Sequence, residues 1–333
     1  MKFRKTAAAV LSFIMTAAVL TGCGTQTSTD TASKSGTDGK VYKIGICQLV
    51  QHKALDAATQ GFKDKLTELL GKDRVKFDEQ NAAGDSATCS TIVNQFVSSG
   101  SDLIFANATA ALQAASSATG DIPIVATSIT DYATALDIDN WTGKTGINVT
   151  GTSDLAPLKE QAEMFKELLP DAKTIGLLYC SSEANSKYQV DIVAKELAAL
   201  GYSTEMYTFA DSNDISAVVT SAVSKCDAMY IPTDNTAAAN TELIANIAEP
   251  AKLPIIAGEE GICKGCGIAT LSISYNDIGQ KAAEMAYDIL VNGKDPADME
   301  VQFAKDLTKK YSAKRAEEMG ITVPSDYEEL AAE

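Results

Sequence analysis

The polar residues able to do chemistry in this chain cluster where short apolar runs end. After the first four runs come Gln51, His52 and Asp56, then Gln80, Asn81 and Asp85, then Asn107-Ala108-Thr109, then Thr127-Ser128-Ile129-Thr130-Asp131. A second series repeats the pattern with Ser181-Ser182-Glu183-Ala184-Asn185-Ser186, Pro232-Thr233-Asp234-Asn235 and Gly258-Glu259-Glu260. In open α/β sheets, ligands lie beyond the carboxyl ends of the strands, where helix N-termini point. Hydroxyl groups and free helix N–H groups suit a carboxylate, whereas Asp131, Asp234 and Glu259 suit an ammonium group. Thr109, Ser186 and Asp234 or Asn235 are also placed to cap the helices that follow them. Both series contribute, so the pattern points to a cleft for a small zwitterion between two lobes.

Catalytic chemistry is poorly supplied. The chain has one histidine, no G-x-S-x-G elbow, no Gly-rich phosphate loop with its Lys-Ser/Thr and no H-E-x-x-H. His52 is expected to line or orient a cleft edge. Glu259 and Glu260 form a carboxylate pair without a nucleophile or metal ligands beside it. Cys263-Lys264-Gly265-Cys266 lacks the further ligands a zinc site needs, and reads as a local loop disulfide or two free thiols. Cys47 and Cys180 fall in apolar strand-like runs, where cysteine acts as a small hydrophobe. A binding protein with no enzyme activity, no cofactor and no metal is the expectation.

The N-terminus supplies an address. Residues 1–22 read as a secretory leader with Lys2, Arg4 and Lys5 ahead of a short apolar run. Leu20-Thr21-Gly22-Cys23 has the pattern of a lipobox, in which the Cys23 thiol takes a diacylglycerol and becomes the new N-terminus. Residues 23–40 are then an acylated cysteine and a flexible Gly/Ser/Thr-rich tether, too polar to fold alone. This places the domain outside the cytoplasm, held at the membrane without a spanning helix. Loss of the leader leaves 25 basic residues against 44 acidic, a charge of −19. Such an acidic chain, without a basic aromatic-laced patch, is not a nucleic-acid binder. A monomer is expected.

Positioning the polar residues requires alternating strands and helices. Val41–Leu49, Val75–Phe77, Asp102–Ala106, Ile122–Ala126 and Gly146–Val149 read as strands, with helices over Ala54–Leu70, Ala87–Ser98 and Thr109–Thr119. Phe62, Leu66, Leu69 and Leu70 share one helical face. The second series has helices over Leu158–Leu169, Ser186–Leu200, Asp214–Val223, Thr236–Ala248 and Ile278–Leu290. Its strands are Thr174–Tyr179, Ser203–Phe209, Ala228–Ile231, Pro254–Ala257 and Ile268–Tyr275. Short apolar strands separated by helices argue for parallel βαβ units. Two such series give an α/β fold of two similar Rossmann-like lobes, with the ligand cleft between them.

The order of several segments resembles the ABC transporter substrate-binding lipoproteins of the tryptophan/tyrosine-type family, which have the type I periplasmic-binding-protein fold. The segments are Ile44-Gly45-Ile46, His52 with Ala54-Leu55-Asp56, Gln80-Asn81-Ala82 with Gly84-Asp85, Thr130-Asp131, Asn148-Val149-Thr150-Gly151 with Ser153-Asp154, Glu183-Ala184-Asn185-Ser186, Pro232-Thr233-Asp234-Asn235 and Ile321-Thr322-Val323-Pro324. The resemblance implies lobes joined by three crossovers, with residues 41–151 plus 273–300 in the first and 152–272 plus 301–333 in the second. It implies an amino acid, best guess aromatic, bound by Leu55, Asn81, Thr109, Thr127, Asp131, Ser153, Asn185, Ser186, Asp234, Asn235 and Glu259. Within that set, Thr109, Ser153 and Ser186 would take the carboxylate, Asp131, Asp234 and Glu259 the ammonium, and Leu55 with His52 the side chain. An ABC permease and its ATPase would be the partners; a lipid-anchored sensor of the same fold is the alternative. Lys53 and Tyr132 depart from the family's prolines, and Tyr132 would stack on a ligand or cover the lobe surface.

Overall fold

The computed structural model describes residues 39–304 and 306–331; the leader, Cys23 and all but the end of the tether lie outside the described residues. In the first series, β1 (Tyr42–Gln48), α1 (Lys53–Leu70), β2 (Val75–Asn81), α2 (Ser86–Ser99), β3 (Leu103–Asn107), α3 (Thr109–Ala118), β4 (Ile124–Ile129), α4 (Tyr132–Leu136) and β5 (Val149–Ser153) alternate. The second continues with α5 (Leu158–Leu168), β6 (Thr174–Cys180), α6 (Ala184–Ala199), β7 (Ser203–Phe209), α7 (Ile215–Val223) and β8 (Ala228–Ile231). It is completed by α8 (Asn235–Ala238), α9 (Thr241–Ala248), β9 (Ile255–Ala257), α10 (Glu260–Cys266) and β10 (Ala269–Ser272). The chain then adds α11 (Tyr275–Asn292), β11 (Gln302–Phe303), β12 (Thr308–Tyr311), α12 (Ala313–Met319) and β13 (Glu328–Glu329).

One sheet has the order β11-β5-β4-β3-β1-β2 and the other β13-β12-β10-β9-β8-β6-β7. Every pairing is parallel except β10 with β12. Helices cover both faces of the central strands, so LIFAN of β3 and IVATSI of β4 are buried at every position. The edge strands β2 and β7 instead carry exposed polar residues.

α11 returns to the first lobe and packs along α1. A Cβ on Gly279 would collide with the Ala58 carbonyl, and one on Gly61 with that of Asn276. Two glycines therefore let these 18-residue helices approach backbone to backbone. The chain passes between the sheets three times: after β5, after β10 and after β11. Two boundaries fall later than the sequence suggests. Thr152 stays in β5, its hydroxyl bonded to Thr127 Oγ1 (2.8 Å) and the Ile278 carbonyl (3.2 Å) of the first lobe. Residues 302–303 pair with β5, so the last crossing follows 303 rather than 300. The tail then joins the second lobe, where Arg315 binds the Lys264 and Gly265 carbonyls (2.8 and 2.6 Å) at the end of α10.

Other local expectations change. The segment 236–248 breaks into α8 and α9 at Asn240, whose side chain bonds the Thr236 carbonyl. The fifth strand is Val149–Ser153. Cys263 and Cys266 lie inside α10, free and buried, rather than in a loop. Tyr132 neither covers the surface nor reaches a ligand cavity. It is buried, donates its hydroxyl to the Ala126 and Thr152 carbonyls (3.0 and 3.2 Å) and stacks on Trp141. Among the described residues no helix is long and apolar enough to cross a membrane.

Candidate functional site

The start of α1 is held to the first sheet by a chain of side chains. Gln48, ending β1, donates to Asp56 Oδ1 (2.7 Å) and accepts from Thr59 Oγ1 (2.6 Å). Asn107, ending β3, donates to the Leu55 carbonyl (2.8 Å) and Thr59 Oγ1 (2.9 Å). These bonds fix His52 and Leu55 at the inner end of the helix. β4 shifts register between Ala126 and Ile129, and Ser128 adopts a φ of 56°. This irregularity turns Ser128 and Thr130 toward the space between the lobes.

The second lobe presents a matching rim. The Glu183 carboxylate accepts from the backbone N–H groups of Asn235 (2.9 Å) and Thr236 (2.8 Å), from Asn235 Nδ2 (2.7 Å) and from Thr236 Oγ1 (2.8 Å). Asp234 caps α8 at Ala237 N (2.8 Å) and accepts from Cys180 N (2.6 Å). Asn185 Nδ2 donates to the Thr233 carbonyl (2.9 Å). The EANS and PTDN segments are thus one hydrogen-bonded unit at the ends of β6 and β8.

The rims meet. His52 Nε2 lies 3.2 Å from Asn235 Oδ1, and the Thr130 and Thr233 hydroxyls are 3.2 Å apart. Gln189 Nε2 donates to both Thr233 Oγ1 (2.6 Å) and Thr130 Oγ1 (3.3 Å). Between the lobes lies a narrow cavity of about 10 Å³. From the first lobe and the crossovers come His52, Leu55, Ser128, Thr130, Asp154 and Tyr275. Asn185, Thr233, Asp234, Asn235, Ala238 and Glu259 come from the second. A wider space of about 210 Å³ lies between Thr109 and Glu183, sharing Asn185 and Asn235 as walls.

The cavity is acidic. It has three carboxylates and, among the described residues lining it, no lysine or arginine. Asp154 accepts from the hydroxyls of Tyr275 (2.8 Å) and Thr130 (3.2 Å), and burial pushes its pKa up to about 6. Burial raises Glu259 to about 7, although its carboxylate caps α10 at the Gly261 and Ile262 N–H groups. Burial, with the Glu183 carboxylate nearby, raises Asp234. Each shift reports a negative charge held short of solvation, which a bound cation would relieve. Burial also lowers the His52 pKa, which keeps its imidazole neutral. Several polar atoms facing this region have no hydrogen-bond partner among the described residues: His52 Nδ1, Ser128 Oγ and Thr109 Oγ1. Buried polar groups are normally paired, so these are the atoms a ligand would satisfy.

Of the residues singled out in the sequence, Leu55, Asn185, Asp234, Asn235 and Glu259 line the cavity, as does His52. Thr109 faces the wider space. The others do not line the cavity. Asn81 ends the edge strand β2, with its Oδ1 engaged by Ala83 N. Thr127 is bonded to Thr152 within the sheet. Asp131 caps α4 through Thr134 N (2.7 Å). Ser153 is engaged by the Thr130 carbonyl and Leu155 N, and Ser186 is buried against Asp234. The cavity is also lined by Ser128, Thr130 and Thr233, which stand in the strand-end segments, and by Asp154, Ala238 and Tyr275. Four of these are next to a residue of the implied ligand set: Ser128 beside Thr127, Thr130 beside Asp131, Asp154 beside Ser153 and Thr233 beside Asp234.

Comparison with known proteins gives this geometry a family. The ABC transporter substrate binding protein family matches residues 43–333. A tyrosine-binding protein of Clostridioides difficile (strain R20291) is 37% identical over 304 residues, covering 90% of this chain and 88% of the relative. The crystal structure of an ABC domain in complex with L-Trp from Streptococcus pneumonia superposes with a TM-score of 0.82 at 36% identity, covering 86% of this chain and 97% of that one. The ligand-free, open structure of a substrate-binding protein with adhesive properties from Clostridium difficile, 37% identical, covers 88% and 100% but superposes at only 0.66. Two α/β lobes closed over an acidic cavity, and a family match running through the whole described fold, make this chain a member of the ABC transporter substrate-binding proteins.

Proposed function

We propose that the interlobe cavity, widened as the lobes part, binds a free aromatic amino acid, tryptophan or tyrosine, for import. The observation that carries this reading is the set of three buried carboxylates facing one cavity without a cationic side chain among its described lining. Such a site favours an ammonium group. Asp154 is the strongest candidate partner, because among the described residues its side-chain donors are two neutral hydroxyls, whereas Asp234 and Glu259 each accept from two backbone N–H groups of other residues. The ligand carboxylate is assigned to the first-lobe side, where Ser128 Oγ has no partner among the described residues. Leu55 and Ala238 supply the apolar wall. The names of the tyrosine-binding relative and of the L-Trp complex support the aromatic choice.

Binding between lobes favours the closed form by differential affinity, with bending at the three crossings. The better superposition on the L-Trp complex than on the open relative supports a closed arrangement here. An ABC permease would accept the closed, loaded form, with its ATPase driving transport. The protein would act as a monomer outside the cytoplasm, tied to the membrane through diacylglyceryl-Cys23. Titration calorimetry of the purified protein with the twenty amino acids tests the ligand: tryptophan or tyrosine is expected to bind, and binding only of non-aromatic solutes would discard the aromatic assignment. Metabolic labelling with a radioactive fatty acid, lost in Cys23→Ala, tests the anchor.

A further inference from the structure

We infer that His52 selects among aromatic ligands by accepting a hydrogen bond, through Nδ1, from a donor on the ligand's side chain. The assignment starts in the second lobe. The Asn235 Nδ2 group donates to the Glu183 carboxylate at 2.7 Å, an acceptor-only partner, which fixes the orientation of the amide. Asn235 Oδ1 therefore faces His52 Nε2, at 3.2 Å, and this nitrogen must carry the proton. A neutral imidazole with its proton on Nε2 leaves Nδ1 as an obligate acceptor.

No described residue uses that acceptor. His52 occupies the N-cap of α1, where a side chain normally accepts from the first turn, but it makes no capping bond. Nδ1 is buried and has no partner among the described residues. His52 lines the cavity beside its two apolar residues: Leu55 lies three residues on along α1, and Ala238 three residues on from Asn235. Residues at that spacing share a helix face. The carboxylates Asp154 and Glu259 stand on other elements, so the ammonium and the side chain of a ligand have different partners.

The inference deepens the aromatic amino-acid reading and rests on it. A site with a buried acceptor discriminates against a ligand lacking the donor, because the acceptor is then left unsatisfied. Tyrosine carries a phenolic O–H and tryptophan an indole N–H; phenylalanine carries neither. Calorimetry on the intact protein should therefore give L-tyrosine and L-tryptophan at least about tenfold tighter binding than L-phenylalanine. His52→Phe should collapse that preference. Because His52 is the only histidine in the chain, nitrogen-15 NMR of histidine-labelled wild-type protein reads its two ring nitrogens without assignment. Nδ1 should move upfield on adding tyrosine or tryptophan and stay in place with phenylalanine. Equal affinities, a preference retained in His52→Phe, or the same Nδ1 response to all three ligands would overturn the inference while leaving the aromatic reading standing. Failure of all three to bind would overturn that reading, and the inference with it.

Discussion

Replacing Asp154 with asparagine should move stability and affinity in opposite directions. The carboxyl is buried, receives among the described residues only the Tyr275 and Thr130 hydroxyls as side-chain donors, and has its pKa raised by burial from 3.8 to about 6. That rise corresponds to roughly 3 kcal/mol spent keeping the group ionised in the ligand-free protein at neutral pH. The folded-state pKa lies above the unfolded one, so the group's stabilising contribution is complete below about pH 4 and is lost as pH rises through about 6. Asparagine keeps an acceptor for Tyr275 and carries no charge. Without ligand, Asp154→Asn should exceed the wild type by about 2–3 kcal/mol at pH 8, the gap shrinking below ~1 kcal/mol near pH 4. With ligand the sign reverses, because removing the partner of a buried ammonium costs about 2–5 kcal/mol, a loss of roughly thirtyfold or more in affinity. Urea denaturation at the two pH values, with titration calorimetry for L-tryptophan and L-tyrosine at pH 8, measures both effects. A variant no more stable than wild type at pH 8, with affinity within about threefold, would refute the assignment of Asp154.

Further outcomes follow from the same geometry. Ligand affinity should weaken by at least about tenfold between pH 7.5 and pH 5, because Asp154 and Glu259 must shed protons held with pKa values of about 6 and about 7; calorimetry across that range reads it. Tyr132→Phe loses two buried carbonyl contacts and should destabilise the protein by about 1–2 kcal/mol in denaturant without altering which amino acid binds. Gly279→Ala drives a methyl against the Ala58 carbonyl at the α1–α11 contact, and should cost about 1–3 kcal/mol, seen as a fall in melting temperature.

The fold was largely legible because its signals are local. Apolar strand runs and helical faces such as Phe62, Leu66 and Leu70 declare a parallel α/β protein before any contact is known. The strand-end rule led to Asn185, Asp234, Asn235 and Glu259, which carry the second-lobe wall. On the first-lobe side the rule reached the whole segment from Thr127 to Asp131, and the resemblance narrowed it to Thr127 and Asp131, whereas Ser128 and Thr130 line the cavity. The phase there depends on the break in β4, where Ser128 takes a positive φ, and on how far β5 runs before the chain crosses. Neither is visible in composition or periodicity, since both are set by pairing between distant strands. Asn81 lies away from the cavity for a topological reason: β2 is the outermost strand of its sheet, far from the crossings. Tyr275 became a cavity residue only through the third element of the lobe junction, α11, whose docking rests on two glycines that no local pattern distinguishes from turn residues. Tyr132 shows the reverse case, a residue beside the cleft in sequence that the packing of Trp141 and Gly151 draws into the core.

A crystal structure of the protein grown with L-tryptophan tests the central claim most directly. The amino acid should lie between Leu55 and Ala238 in the interlobe cavity, its ammonium within hydrogen-bond distance of the Asp154 carboxylate. A ligand bound outside that cavity, or one whose ammonium makes no contact with Asp154, Asp234 or Glu259, would contradict it.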